Sequence, residues 1–378
     1  MKKILLVTRP IVPPWDEASK NFAFYLAMNL NAFDFYLLTD GSLSNIPPHI
    51  HQKAIYTSNK LTYMQRLRLL KLRHVLREDF DVIHYMLTPT KLNAFSFKTF
   101  IKHKNAKTIQ TIATLREDLF KDSDFKNILF ADLIITYSDY AKNKLNSIGF
   151  NNVKRVYPGI DMGLYSPASK DKEIQKMLDV TDSDFVVDYP GEYVRLGATD
   201  DLVNLIIEYG EEFRKRKIKI CFPGRMKGPE DYAKKKEVKK LLEEKNMLDV
   251  VRFTDEMKKN SIPGADFMSR RYNTSDLIIF PVQDMKGKFD VPLAVIEPMA
   301  CAKPIIISDL PIFLEFANAE NSVMIEKGNV KQLADAIFDL YNHREKREQI
   351  GKNARKFVEN NFDIKKVAQM YKEIYEHL

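Results

Sequence analysis

Short apolar runs alternate with longer amphipathic stretches along the whole chain. In the first half the runs are KILLVT (3–8), DFYLLT (34–39), DVIHYM (81–86), TIQTIA (108–113), DLIITY (132–137) and VKRVYP (153–158). Helical patterns lie between them, at ASKNFAFYLAMNL (18–30) and YMQRLRLLKLRHVLRED (63–79). The alternation restarts with FVVDYP (185–190), IKICFP (218–223), VVRFT (250–254), DLIIFPV (276–282), PIIIS (304–308) and VMIE (323–326). Runs this short and rich in Val and Ile, spaced by helices, predict parallel strands with crossover helices, twice over. The polar tract YSPASKDKE (165–173) has no periodicity and reads as the linker. The expected organisation is an α/β chain of two doubly wound domains, 1–165 and 166–360, facing a cleft. A closing helix in 361–378, with Val367, Met370 and Ile374 as its apolar positions, is long enough to cross back onto the first domain.

Length agrees: 378 residues exceed one ordinary core and suit two domains. No stretch approaches the roughly 18–20 apolar residues of a membrane span. The opening MKKILLVTRPIVPP has an apolar run of only ILLV and no small-residue cleavage site, so it reads as a buried strand. Two widely separated cysteines, Cys221 and Cys301, without metal-type spacing fit a reducing cytoplasm. The 59 basic against 51 acidic residues, net +8, favour an anionic partner. Nucleic acid is not expected, because there is no RNP-like aromatic motif, zinc-finger spacing or long basic tail. The segment 60–77 carries Lys60, Arg66, Arg68, Lys71, Arg73 and Arg77 around Leu61, Met64, Leu67, Leu70, Leu72, Val75 and Leu76. It suits either an anionic membrane surface or a sheet-covering helix with a solvated basic face.

One acidic residue stands out. Glu297 lies in the apolar helix pattern VPLAVIEPMA, directly after a strand, where open α/β sheets bind ligands. Asp290 and Pro292 precede it, with Pro292 expected at the first helical position. Further on, ADLIITYSDYAKNKLNSIGFNNVKRVYPGIDMGLYSP (131–167), with Asp132, Ser138, Pro158-Gly159-Ile160-Asp161 and Tyr165-Ser166-Pro167, resembles the interdomain region of family-4 glycosyltransferases. The stretch from DLIIFPV to LPIFLEF is similar to that family's donor-site strand, helix and next strand, and the tail NARKFVENNFDIKKVAQMYKEIYEHL to its closing helices.

The resemblance implies the two-domain GT-B fold and a hexosyltransferase-type enzyme of class EC 2.4. Such an enzyme moves a sugar from a nucleotide diphosphate sugar to a hydroxyl of a glycan, lipid-linked or envelope acceptor, with retention. It also implies that Glu297 hydrogen-bonds the donor ribose. The helix start at Pro292 and Leu293 would take the diphosphate, helped by Gly191 and a cation. Arg195 is the nearest cation to the expected loop, with Arg225 and Lys227 as alternates. Glu297, Asp290 and Arg195 form the expected catalytic set; Trp15, Asp16 and His84 are the acceptor-side candidates. His84 reads equally as a packed strand residue.

The chain departs from the family pattern at Phe289, where the first Glu of a Glu-x7-Glu pair would stand, with Asp290 one position off. Glu192 replaces the usual Arg, and Ala113 the usual His. These departures keep open a non-catalytic, glycosyltransferase-like binding subunit; an epimerase or a phosphorylase of related fold is the other rival. No metal or other cofactor is expected, since the Asp-Ser-Asp runs at 122–124 and 182–184 lie in polar stretches. The expected place is the cytoplasm, with the inner face of the membrane as the alternative.

Overall fold

The computed structural model describes residues 1–13, 15, 17–75, 78–100, 105–223, 226, 228–257, 264–285 and 290–378. It divides into two compact units. The first comprises Met1–Asp161, Gly287–Val291 and Asn361–Leu378; the second comprises Met162–Lys286 and Pro292–Asn360. Residues 162–165, expected at the end of the first domain, therefore belong to the second unit.

The first unit is built on strands β1 (Lys3–Val7), β2 (Asp34–Thr39), β3 (Ile50–Ala54), β4 (Val82–Tyr85), β5 (Lys107–Ile112), β6 (Leu133–Thr136) and β7 (Val153–Arg155). They form one parallel sheet in the order β3-β2-β1-β4-β5-β6-β7. Successive side chains of a strand point to opposite faces. Ile4, Leu6, Phe35 and Leu37 accordingly enter one apolar cluster, while Leu5, Val7, Tyr36 and Leu38 enter another. Both faces are covered, as a doubly wound sheet requires. The edge strand β3, IHQKA, is absent from the apolar pattern because only Ile50 of its five residues is buried.

The closing helix Ile364–His377 packs on the first of these clusters through Val367, Ala368, Tyr371, Ile374 and Tyr375. Met370, expected on the apolar face, points outward instead, since the buried stripe runs through the neighbouring Tyr371. Entry to the helix is fixed at Ile160, whose N–H donates to the Phe362 carbonyl (2.8 Å) while its own carbonyl accepts from Ile364 N–H (2.9 Å). Gly159 permits this approach: a Cβ there would lie 2.9 Å from the Ile364 Cα.

The helix expected over 63–79 is broken. Tyr63–Arg68 is α-helical, Leu69–Lys71 is a 3-10 turn, and Leu72–Val75 is one more α turn; Leu76 and Arg77 lie outside the described residues. A 3-10 turn has three residues per turn, so positions three apart line up. Leu69 and Leu72 face the sheet, whereas Met64, Leu67 and Leu70 are exposed. The expected single apolar stripe is thus two opposed ones.

The second unit holds β8 (Phe185–Asp188), β9 (Ile218–Phe222), β10 (Val251–Phe253), β11 (Leu277–Phe280), β12 (Ile305–Ser308) and β13 (Val323–Ile325). All are parallel, in the order β10-β9-β8-β11-β12-β13. The central strands FVVD, LIIF and IIIS are buried at every residue. β8 and β11 are neighbours (Ile278 opposite Asp188), so the loops leaving their carboxyl ends emerge side by side.

Candidate active site

In the second unit those two loops are laced together. Gln283 N–H donates to the Leu196 carbonyl at 2.9 Å, and the Gln283 side chain reaches Asp201. Gly197 sits in the left-handed region (φ +71°), and a Cβ on it would meet the Gln283 side chain at 2.8 Å. Gly191 is needed for space instead, since its Cβ would overlap the Tyr189 ring.

The helix Leu293–Ala300 follows. Pro292 is its N-cap, one position earlier than expected, with an extended backbone (φ −75°, ψ 113°). Its carbonyl accepts from Val295 N–H (2.9 Å) and Ile296 N–H (3.2 Å). Leu293, the first helical residue, is half-buried. The helix closes through Cys301 onto Ala302, which takes the left-handed conformation (φ 55°) usual after a helix C-terminus.

Glu297 projects from this helix and keeps partial access to solvent. Burial pushes its carboxyl up to about 7, although hydrogen bonds from the Tyr165 and Tyr272 hydroxyls pull the other way. The Tyr272 hydroxyl lies 3.3 Å from Oε2. At neutral pH this is a carboxyl poised between its two forms, able to accept from hydroxyls when ionised. Neither tyrosine stood out in the sequence as a partner of Glu297, although Tyr165 lies in the 131–167 segment.

Arg195 is held by a buried carboxylate. Its Nη2 donates to Glu192 Oε1 at 2.9 Å and its Nε lies 2.7 Å from Oε2. The Glu192 side chain is 2% exposed and that of Arg195 35%, so the cation presents one side to solvent. The residue that departs from the expected Arg at 192 therefore anchors the nearest Arg. Arg225 and Lys227 lie outside the described residues.

A buried ion pair escaped the sequence reading. Arg271, in the helix Gly264–Thr274, donates through Nε to Asp188 Oδ2 at 2.9 Å, and Nη2 bonds the other carboxylate oxygen. Asp188 ends β8, and a lone charge in the apolar run FVVDYP was the one signal for it.

The remaining candidates belong to the first unit. Asp290 is buried; its carboxylate accepts from the Ser138 hydroxyl (2.8 Å) and Leu115 N–H (3.3 Å), and its own N–H donates to the Ala113 carbonyl (3.0 Å). Ser138 also caps the helix Asp139–Ser147 through Ala141 N–H. Trp15 is half-buried and stacks on Phe24 (4.6 Å between centroids). Asp16 and Phe289 lie outside the described residues. His84 does not face an open surface: it is fully buried on β4, with Nδ1 2.8 Å from the Tyr375 hydroxyl and Nε2 2.6 Å from Thr111 Oγ1. Burial pushes its imidazole down to about 3.

Comparison with known proteins gives the fold and a partial family match. Residues 199–357 match the family model described as Glycosyl transferases group 1. The chain is 22% identical over 281 residues to an uncharacterized glycosyltransferase of Methanocaldococcus jannaschii, covering 68% of this chain and 62% of that one. It is 31% identical over 105 residues to the capsular polysaccharide biosynthesis glycosyltransferase CapM of Staphylococcus aureus, covering 28% and 27%. The matches thus span less than two thirds of these relatives' own lengths. Among solved structures, Anabaena HepE in complex with UDP and glucose superposes with a TM-score of 0.74 at 15% identity, covering both chains completely. The fold is therefore GT-B, and residues 199–357 are similar to the group 1 glycosyl transferases.

The His84 environment sets a stability dependence on pH. The unfolded imidazole titrates near 6.5 and the folded one near 3, so the unfolded chain binds the extra proton between these values. His84 should therefore remove up to about 1.4 kcal/mol of stability per pH unit as pH falls from about 6.5 toward 3. Denaturant melts at pH 7, 6 and 5 should show a shallower decline for His84→Gln than for the parent; equal slopes would remove His84 as the cause.

Proposed function

We propose that the protein is a family-4 glycosyltransferase that moves a sugar from a nucleotide diphosphate sugar to a hydroxyl acceptor with retention. The observation that carries this reading is Glu297: a carboxyl on the helix that follows β11, largely shielded from water and hydrogen-bonded by tyrosine hydroxyls, within a segment that matches group 1 glycosyl transferases. Ionised, it accepts from the two vicinal ribose hydroxyls of the donor nucleotide. The N–H groups at the start of the helix Leu293–Ala300 receive the diphosphate, with the open side of Arg195 as the cation. The UDP complex of HepE makes UDP the first nucleotide to try. Neutralising the leaving diphosphate with Arg195 and helix N–H groups requires no metal.

Two observations favour the second reading, a nucleotide-sugar-binding subunit without transferase activity. Asp290, expected in catalysis, has its carboxylate committed to Ser138 and Leu115, and Arg195 is already paired with Glu192. In the enzyme reading Asp290 is then a tether, and Glu297 with Arg195 remains the donor-site pair.

The acceptor fits a glycan or a lipid-linked or envelope component, and the protein reaches the latter at an anionic membrane surface on the cytoplasmic side. Tyr63, Met64, Leu67 and Leu70 are exposed beside exposed Arg66 and Lys71, and Leu92 and Phe95 of the helix Lys91–Phe100 are exposed as well. Residues 57–77 contain no acidic side chain. Such a face rests on lipid rather than spanning it, and among the described residues no helix is long and apolar enough to cross a membrane.

Glu297→Gln should weaken UDP binding by roughly 1.5–3 kcal/mol, about ten- to a hundredfold, and reduce sugar release from UDP-glucose with the fold intact. The parent should release sugar equally fast in excess EDTA and in magnesium. Unchanged affinity in the Gln variant rejects the site; UDP-glucose binding without release or transfer selects the binding subunit; rescue by metal after EDTA rejects the metal-free scheme. For the membrane face, each cation near the surface should add about 1 kcal/mol. Co-sedimentation with phosphatidylglycerol vesicles should fall with salt and fall further when Arg66, Arg68 and Lys71 become Gln; no sedimentation at low salt reduces the segment to sheet cover.

A further inference from the structure

Glu297 is surrounded by more hydrogen-bonding than ribose recognition alone requires. Tyr272 is fully buried in the helix Gly264–Thr274, and Tyr165 is 7% exposed at the start of the second unit. Their rings lie 6.5 Å apart, and both hydroxyls donate to the one carboxylate. Tyr165 is itself held in place. Its carbonyl accepts from Arg355 Nη1 at 3.2 Å, and the same nitrogen donates to the Ala300 carbonyl at the end of the Glu297 helix. A cation at a helix C-terminus is favourably placed against the helix dipole. One guanidinium therefore joins Tyr165 to the helix that carries Glu297. Tyr272 is steadied from the other direction, because its neighbour Arg271 is locked to Asp188.

A carboxylate offers about four acceptor positions. We propose that Tyr165 and Tyr272 are positioning residues: their hydroxyls occupy two acceptor positions of Glu297 and leave the others for the vicinal hydroxyls of a ribose. The ribose half of this statement rests on the donor-site reading above; the clamp itself does not. The two phenols have a second effect, because they favour the ionised carboxylate and so oppose its desolvation. Among the described residues, other charged or titratable groups around the cluster include Arg355 on the Tyr165 carbonyl, the Cys301 thiol, pushed up by burial to about 12, with Lys303 near it, and the Arg271–Asp188 pair beyond Tyr272.

The test uses the full chain labelled with 13C at the glutamate side-chain carboxyl, with the Glu297 signal assigned by its loss in Glu297→Gln. The parent signal should titrate near 7. Tyr165→Phe and Tyr272→Phe should each move the midpoint upward by roughly one pH unit, and the double variant further. Thermal melts check that each variant is folded, and either single variant suffices if the other is not. A midpoint unmoved in the folded variants overturns the clamp. Calorimetric titration with UDP then reads the functional half. A one-unit rise in the midpoint leaves the variants about fivefold weaker at pH 7 and about equal to the parent at pH 9. Weakening by the same factor at every pH, without a midpoint shift, marks a merely structural role and overturns the proposal. If the carboxyl signal moves while UDP affinity does not follow, the clamp stands and the donor-site reading fails.

Discussion

A carboxylate taken out of water loses hydration that the surrounding protein must replace, and the second unit is arranged around that requirement at Glu297. Burial alone would keep the group protonated at neutral pH. Two phenols offset part of that effect and leave the carboxyl near 7. The neighbouring groups follow from this. Tyr272 must be held, and the buried Arg271–Asp188 pair holds its helix against β8. Tyr165 must be held, and Arg355 ties its backbone to the end of the Glu297 helix. A buried ion pair is weak evidence for stability, since desolvation offsets most of its attraction. Its value in the second unit is geometric, because removing either partner would strand a buried charge next to Tyr272.

The parallel sheet explains where these groups can gather. Strands such as LIIF and IIIS are buried on both faces and can carry no chemistry of their own. Polar groups collect at the carboxyl ends and in the loops beyond, here Asp188, Glu192, Arg195 and Gln283. The paired loops after β8 and β11 depend on small residues: Gly191 clears the Tyr189 ring and Gly197 clears Gln283. In the first unit the same ends are closed differently. Asp290 binds Ser138 and the backbone around Ala113, and His84 is sealed between Thr111 and Tyr375.

The sequence made the sheets legible because most of their strands are short Val- and Ile-rich runs between helical patterns, and every run that was read as a strand forms one. It missed β3 because an edge strand with one buried residue has no apolar signature. It misread 63–79 because the 3-10 turn at Leu69–Lys71 changes which side chains share a face. Glu297 was legible as a lone charge in an apolar helix after a strand. Its tyrosines were not, since Tyr272 is 25 residues away and nothing local marks the contact. The same holds for His84 and Tyr375, 291 residues apart, and for Ser138 and Asp290, 152 apart. Residue type and local period announce a strand or a helix start; which distant hydroxyl faces a carboxyl is decided by packing.

The most direct measurement of the central claim is amide hydrogen exchange of the full chain with and without saturating UDP. Binding at the Glu297 site should slow exchange together in peptides covering 189–198, 268–274 and 292–301. These are the loop after β8, the Tyr272 turn and the Glu297 helix, and Glu297→Gln should lose most of that protection at the same UDP concentration. Protection confined to the first unit, or equal protection in the Gln variant, would contradict the account.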